Sequence, residues 1–450
     1  MLDDGNFALP FLLLTAIQWL IVLHFCRALG KDTITNLPGL IGAFAIALLY
    51  GGKAILFLAC PKLLYLPPNL TTDLPPSKDS FLSALFLSTC ALASFCAGGC
   101  LWRGVHPRAA VNDSARPSRC TRPVLLAGAV WVIIYSLYIR HNNYLMGRYV
   151  LSTYHVRGVL QNLDAILVPT LALSALDEGS ASKSYCLIGA GVLILFAHYI
   201  IDGALLAASK GSLVYLGALL LAYWVITGRA MGSKQAIALF ACLVGTVLFY
   251  PVVGWYRWVS LTQNGRGLSA TLLLAWHEAR GRPHWLALEM ILGRLTGFDV
   301  LLGVVERHMR ALGLRCVLDV LRTRGLSGID DYITVVVFGF PSKLSSGTYT
   351  SLSPSLVGFL DVCWGCRGVL GGMAVIGGGL LGIWDYLWDS RLLVARAAAS
   401  VFCVFALELM VDGPLDYFVF RVAPAFIASC AILEIMMRAT CFVGHGEAGR

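Results

Sequence analysis

Charged side chains are scarce in this chain of 450 residues, since Asp, Glu, Lys and Arg together make up 13% of it. Soluble globular proteins carry roughly a quarter charged residues, which they need to cover a water-facing surface. Apolar residues make up 58% of the sequence, and its mean hydropathy is +0.75. The shortage of charge excludes a soluble cytosolic enzyme, and the apolar content excludes a disordered chain. The composition therefore predicts an all-α, polytopic integral membrane protein.

Several familiar motifs are also missing. The sequence has no glycine-rich phosphate loop, and the His-Glu pair at 277–278 lacks the second histidine of a zinc-protease motif. Cys363 and Cys366 have the spacing of a redox pair, but they fall within an apolar run and not in a βαβ unit. We predict no metal site, no cofactor and no nucleic-acid partner.

Cysteine is not rare, but its placement argues against a disulfide scaffold. Half of the fourteen Cys residues lie inside apolar runs, where Cys behaves as a small hydrophobic side chain. These residues are Cys26, Cys90, Cys96, Cys186, Cys242, Cys403 and Cys430. The cysteine count therefore indicates neither a disulfide framework nor a redox compartment.

Long apolar runs dominate the sequence. A helix needs about 20 apolar residues to cross the hydrocarbon core of a bilayer. Eleven stretches are predicted to do so: 8–26, 38–60, 80–102, 123–141, 161–177, 185–206, 212–228, 235–253, 355–384, 392–412 and 414–437. The stretch 161–177 is the weakest of them, because it is short and contains Asp164 near its start.

The Lys and Arg residues of the loops indicate the orientation of the chain. The loop 103–122 contains five Arg residues and one Asp, so we place it in the cytoplasm. Counting spans from this loop places the N-terminus outside and the C-terminus inside, and it makes every short inside loop basic. The first span lacks a basic n-region and a cleavage signature, so we do not expect a cleaved signal peptide.

The predicted organisation is a bundle of eight spans over 1–253, a large outer loop over 254–354 and three further spans over 355–450. The loop contains eleven basic and seven acidic side chains. Its residues 285–314 have the pattern of an amphipathic helix or helix pair on the outer leaflet. Such an element suits the anionic head group of a lipid-linked molecule, and it is equally compatible with a loop that packs on the spans with solvated Arg side chains.

Cationic side chains gather at the predicted outer face. They include Arg148, Arg157, Lys210, Arg257, Arg294 and Arg367. A cation inside the end of a span is costly unless it is paired or lines a wet cavity. Because guanidinium groups match phosphate oxygens, the pooled charge predicts a diphosphate-binding site. Each cation taken alone also fits a salt bridge or a side chain that reaches the membrane interface.

Displacement of a diphosphate by a hydroxyl needs a group that accepts the proton of that hydroxyl. Asp299 is our candidate, because it shares a short glycine-punctuated segment with Arg294. The two side chains share a helix face only if the chain bends at Thr296 and Gly297. Histidines of the outer loops are alternatives, namely His141, His155, His277, His284 and His308.

Three stretches resemble segments of the O-antigen and capsule repeat-unit polymerases (Wzy-type). Residues 209–213 (SKGSL) are similar to the short Ser-Arg/Lys-Gly turn of that family. Residues 293–302 (GRLTGFDVLL) resemble a segment of its large periplasmic loop. Residues 350–358 (TSLSPSLVG), followed by Gly365 and Gly368, look like the return to the membrane after that loop. The layout of ten or more spans with one large outer loop is also similar.

The resemblance implies a GT-C-like glycosyltransferase of the bacterial inner membrane. It would transfer a growing glycan from undecaprenyl diphosphate to a sugar hydroxyl of a lipid-linked repeat unit at the periplasmic face. Carried over by position, Lys210 and Arg294 would hold the diphosphate, with Asp299 beside them. The implied partners are the undecaprenyl-diphosphate-linked oligosaccharide, the lipid bilayer, a chain-length regulator and a flippase. The sequence departs from the family pattern at Lys210, where Arg is frequent, and at 362–364.

Two other functions remain open from the sequence. An O-antigen ligase has a similar layout and the same donor, but it uses a different acceptor. A transporter or flippase of lipid-linked glycans would place ionisable residues in the middle of its spans. Asp202 and Glu408 fit that second alternative, although most ionisable residues gather at the outer ends.

Overall fold

The computed structural model describes residues 5–29, 34–59, 77–107, 118–135, 154–206, 210–227, 268–280, 297–306, 355–412 and 418–447. It also describes positions 144, 145, 148, 149, 245, 249, 252, 253, 255, 256, 259, 313, 332, 333, 335 and 415. Most of the predicted span 235–253 and most of the predicted outer loop therefore lie outside the described residues.

The described chain is nearly all helical. The first half contains α1 (Gly5–Ala28), a 3-10 turn (Ile34–Asn36), α2 (Leu37–Ile46), a first π-helical segment (Ala47–Gly52), α3 (Lys53–Ala59), α4 (Lys78–Val105), α5 (Arg122–Ile134), α6 (Tyr154–Ala181), α7 (Tyr185–Phe196), a second π-helical segment (Ala197–Leu206) and α8 (Lys210–Thr227). The second half contains α9 (Leu268–Arg280), α10 (Gly297–Glu306), α11 (Ser355–Asp389), α12 (Ala395–Asp412), a third π-helical segment (Phe418–Val422) and α13 (Ala423–Glu447). Two short antiparallel strands, β1 (Tyr144–Leu145) and β2 (Arg148–Tyr149), pair between α5 and α6.

Among the described residues, six helical stretches are long and apolar enough to cross a membrane. They are Phe7–Ala28, Ile34–Leu56, Lys78–Val105, Tyr185–Ala204, Ser355–Asp389 and Phe418–Thr440. The helices Arg122–Ile134 and Ser212–Thr227 are apolar but shorter. Large apolar side chains such as Leu9, Leu20 and Leu23 are exposed on α1, which suits contact with lipid. The all-α, membrane-spanning prediction is confirmed at this level, and the number of eleven spans stays a prediction.

Two predicted spans correspond to helices with more charge. The stretch 161–177 lies within the 28-residue helix α6, and the stretch 392–412 overlaps α12. Each helix contains three charged side chains within or close to its apolar part. Because a charge in the hydrocarbon core is costly, such side chains need partners inside the protein.

The chain divides into two compact units. Unit 1 consists of residues 1–111, 289–385 and 405–418, and unit 2 consists of residues 112–288, 386–404 and 419–450. The predicted division at 253 and 354 was based on the order of spans along the chain, and it stays a prediction.

Unit 1 is held together by an aromatic core and by close helix contacts. The ring of Phe81 in α4 lies 5.7 Å from that of Phe7 in α1 and 4.9 Å from that of Phe298 in α10. A Cβ atom at Gly98 of α4 would overlap the backbone carbonyl of Ala374 in α11. Small residues let transmembrane helices approach each other closely, so this contact is a packing site.

Unit 2 is organised around α6, which packs against α5, α7 and α13. The Arg396 guanidinium lies 3.2 Å from the Asp177 carboxylate, and both side chains are buried. The second carboxylate oxygen of Asp177 accepts a hydrogen bond of 2.6 Å from the backbone N–H of Ser118. These contacts satisfy the buried carboxylate and connect the C-terminal part of α6 to α12 and to the segment before α5.

Candidate functional site

Apart from Arg367, which is described below, the structure places three of the predicted diphosphate-binding residues on described backbone. Arg148 lies in β2, Arg157 lies in the first turn of α6, and Lys210 is the first residue of α8. Arg257 and Arg294 lie outside the described residues. The binding of a diphosphate by these side chains stays a prediction.

Two predicted site residues have described side chains, and both belong to unit 1. Arg367 is exposed on α11, one residue after Cys366. Asp299 is buried in the first turn of α10, with 1% of its side chain exposed. The two residues therefore differ in the access that a substrate would have to them.

Asp299 forms a buried ion pair with Lys53. The ammonium of Lys53 lies 3.4 Å from Oδ2 of Asp299, and the Lys53 side chain is completely buried. Lys53 is the first residue of α3, directly after the first π-helical segment. A buried charge is costly without a partner, so each of these side chains compensates for the burial of the other.

A second contact lies next to this ion pair. The Tyr50 hydroxyl donates a hydrogen bond of 2.7 Å to Oγ of Ser355, the first residue of α11. The same Oγ lies 3.5 Å from the backbone carbonyl oxygen of Gly297. Ser355 has a φ angle of 53°, which is uncommon for a residue with a side chain. The π-helical segment, the start of α10 and the start of α11 therefore meet at this point.

The far end of α10 is also attached to unit 1. Its last residue, Glu306, accepts hydrogen bonds of 3.3 Å from the backbone N–H and the hydroxyl of Ser77. Ser77 is the N-cap of α4, and its Oγ accepts a bond of 3.1 Å from the N–H of Ser80. A carboxylate at a helix N-terminus is favourable because the helix dipole is positive there. Both ends of α10 are thus fixed by polar contacts, and its centre is buried.

A groove of about 540 Å³ lies beside α10 in unit 1. Its lining is mostly apolar and comes from α1, α4, α10 and α11. The lining residues are Leu14, Leu82, Ser83, Phe86, Leu87, Val304, Val305, Asp361 and Cys366. Asp361 is half-buried, and among the described residues of this lining it is the only acidic one. The groove thus combines mostly apolar walls with a carboxylate that is partly exposed.

The kink in α11 lies next to this groove. Gly365 has φ 66° and ψ −162°, a conformation that is open to glycine and strained for other residues. A Cβ at Gly368 would contact the carbonyl oxygen of Leu360 at 2.9 Å. The two glycines therefore allow the break in the helix between Asp361 and Arg367, at the groove wall.

The sequence-based reasoning missed Lys53, Tyr50, Ser355 and Asp361. Lys53 and Asp361 were detectable, because each is an ionisable residue inside a predicted span, where such residues mark internal sites. Ser355 lies in the family-like stretch 350–358 but was not singled out within it, and Tyr50 has no comparable signal. In unit 2, Asp164, His198 and Asp202 form a group of possible metal ligands. The two aspartates were identified from the sequence as charged residues inside predicted spans, but His198 and the grouping were not.

No protein-family model matches this chain, and no curated protein or solved structure matches it either. The family resemblance therefore rests on the three short stretches and the layout of spans described above.

Proposed function

We propose that this protein is a polyprenyl-diphosphate-dependent repeat-unit polymerase with eleven spans and a GT-C-like architecture. The observation that supports it best is the meeting of two of the three family-like stretches in unit 1. Gly297 belongs to the stretch 293–302 and Ser355 to the stretch 350–358, and the carbonyl oxygen of the first lies 3.5 Å from the hydroxyl of the second. Two stretches that are distant in sequence thus contact each other in unit 1, the unit that also contains the groove.

The groove of unit 1 suits the polyprenyl part of the donor. Its walls are formed by side chains such as Leu14, Phe86 and Val304, which favour an isoprenoid chain over water. Arg367 follows the groove residue Cys366 and is exposed, so it is available to an anionic head group. We assign Arg367 and Arg294 to the donor diphosphate, and Lys210, Arg257, Arg148 and Arg157 stay predicted contributors.

In the proposed reaction, a sugar hydroxyl of the acceptor repeat unit attacks the anomeric carbon of the donor glycan. The new C–O glycosidic bond forms as the bond to the diphosphate oxygen breaks, and undecaprenyl diphosphate leaves with the bonding electron pair. The hydroxyl proton passes to a carboxylate. Cationic side chains offset the charge that develops on the departing diphosphate.

Two carboxylates compete for the role of proton acceptor. Asp299 is the one predicted from the sequence, but in this structure it is buried against Lys53. Asp361 is half-buried in the groove wall, where a hydroxyl can reach it. On accessibility we favour Asp361 as the proton acceptor, and we propose that the Lys53–Asp299 pair holds α10 in place beside it.

The test is the lipid-linked glycan profile of a cell that lacks this protein, measured by gel ladder and mass spectrometry. We expect single repeat units to accumulate at the outer side of the inner membrane and long chains to disappear. Expression of the wild-type protein restores the long chains. Long chains of normal length without the protein would contradict the proposal, unattached long chains would indicate a ligase, and cytoplasmic accumulation would indicate a flippase.

Complementation with variants separates the two carboxylates. Asp361→Asn should lower polymer formation by about 10²–10⁴-fold if it accepts the proton. Asp389→Asn, at the other end of the same helix, is the matched control and should support normal polymer. The amount of each variant in the membrane is measured in parallel. Normal polymer with Asp361→Asn would exclude Asp361 as the proton acceptor.

A further inference from the structure

Three side chains that can bind metal ions meet in the interior of unit 2. Asp164 comes from α6, and His198 and Asp202 come from the second π-helical segment. All three are buried, and one ligand atom from each lies within 4.8 Å of the others. His198 and Asp202 are four residues apart, a spacing that puts two ligands on one face of a helix. π-Helical turns occur frequently at functional sites.

The geometry around Asp164 matches a shared cation. Its Oδ1 accepts a hydrogen bond of 2.9 Å from Nε1 of Trp131 in α5, which orients the carboxylate. Its Oδ2 faces Nδ1 of His198 at 3.3 Å and is buried without a hydrogen-bond donor among the described residues. Two ligands at about 2.0–2.2 Å from a tetrahedral Zn²⁺ are separated by about 3.4 Å. The observed separation therefore fits two ligands of one ion.

Charge gives a second reason for a cation here. Two buried carboxylates next to one imidazole concentrate negative charge in the interior of unit 2. Burying an ionised carboxylate is costly unless the charge is paired or binds a metal. One divalent cation compensates both carboxylates and leaves the imidazole neutral, which is the form that binds metal.

We propose that Asp164, His198 and Asp202 bind one divalent transition-metal cation inside unit 2, with Zn²⁺ favoured by the ligand set. Imidazole nitrogen and carboxylate oxygen together suit Zn²⁺ better than Mg²⁺ or Ca²⁺, which prefer oxygen ligands alone. Three protein ligands leave a fourth coordination position for water or another ligand. Trp131 is a positioning residue for Asp164. The proposal does not depend on the polymerase function.

The experiment uses the full chain, purified in detergent, stripped with a chelator and then titrated with Zn²⁺. We expect about one Zn²⁺ per chain by calorimetry and by elemental analysis, and a visible absorption spectrum of tetrahedral type when Co²⁺ replaces Zn²⁺. Wild-type protein that binds less than about a fifth of an equivalent of either ion would overturn the proposal. Binding of Na⁺ or Mg²⁺ alone would overturn it as well.

Substitutions of the proposed ligands test whether the ion binds at this site. His198→Gln and Asp164→Asn should abolish binding, whereas His24→Gln, which changes an exposed histidine in α1 of unit 1, should leave it unchanged. Trp131→Phe keeps all three ligands and removes only the orienting hydrogen bond, so it should lower the affinity about 10–100-fold. This variant decides the question if the ligand variants do not fold. Wild-type affinity in Trp131→Phe, or a full equivalent of Zn²⁺ in folded His198→Gln, would show that the ion binds elsewhere.

Discussion

Removing one partner of the Lys53–Asp299 ion pair tests how α10 is held inside unit 1. The exposed fractions of the two side chains are 0% and 1%, and the charged atoms are 3.4 Å apart. Lys53→Met preserves most of the side-chain volume and removes the ammonium. The Asp299 carboxylate then remains buried without this cation, in the turn that begins α10.

The size of the effect follows from this burial. Breaking a buried ion pair by removing one partner costs about 3–5 kcal/mol, because an uncompensated charge stays in the interior. Replacing both charges by apolar groups of similar volume is often neutral or stabilising. We therefore expect Lys53→Met and Asp299→Leu each to lower the free energy of unfolding by about 3–5 kcal/mol. The double variant should recover most of that loss.

The assay is reversible unfolding of the purified protein in mixed micelles, followed by helical circular dichroism and arranged as a double-mutant cycle. Arg438→Met is the control, because Arg438 also pairs with a carboxylate, that of Glu434, but is 58% exposed. This control should change stability by no more than about 0.5 kcal/mol. The reasoning would be refuted if both single variants lost less than about 1 kcal/mol of unfolding free energy. It would also be refuted if the loss in the double variant equalled the sum of the two single losses.

Three further predictions concern contacts within unit 1, and the same unfolding assay measures them. Gly98→Leu should destabilise the protein by about 3 kcal/mol, because its side chain would overlap the carbonyl of Ala374, whereas Gly379→Leu has open space and should be tolerated. Tyr50→Phe removes one buried hydrogen bond and should cost about 0.5–1.5 kcal/mol; no loss would mean that this bond is not formed. Glu306→Gln weakens the charge interaction at the N-terminus of α4 and should cost about 0.3–1 kcal/mol, an effect that should shrink in high salt.

The membrane helices could be predicted from the sequence because lipid imposes a simple rule. Every backbone polar group in the hydrocarbon core must be satisfied within the segment, so a long apolar run becomes a helix. The runs 8–26, 80–102 and 185–206 accordingly match described helices. The weak run 161–177 is also helical, and the Asp164 that weakened its pattern is buried beside His198.

The partners of the ionisable residues could not be predicted in the same way. The position of Lys53 inside an apolar run signals that it needs a partner, but it does not say which of many carboxylates supplies it. The pairing with Asp299 depends on where α10 packs, and that is decided by contacts such as Phe298 on Phe81. Local sequence patterns contain no information on such long-range contacts. The first π-helical segment ends directly before Lys53, and the second contains His198. Neither segment could be predicted from the hydrophobic pattern of the sequence.

The carboxylates at the two predicted ends of the spans have different surroundings, as Asp385 and Asp361 show. At the predicted cytoplasmic ends, Arg103 binds both carboxylate oxygens of Asp385 in unit 1, at 2.9 and 2.7 Å. At the predicted outer end of a span, Asp361 faces an open groove. A carboxylate that a cation fully satisfies contributes to helix packing, whereas an accessible carboxylate at a groove is available for proton transfer. The polymerisation that we propose takes place at the outer face, so it requires Asp361 to lie at that face. A topology that placed Asp361 in the cytoplasm would exclude the proposed reaction.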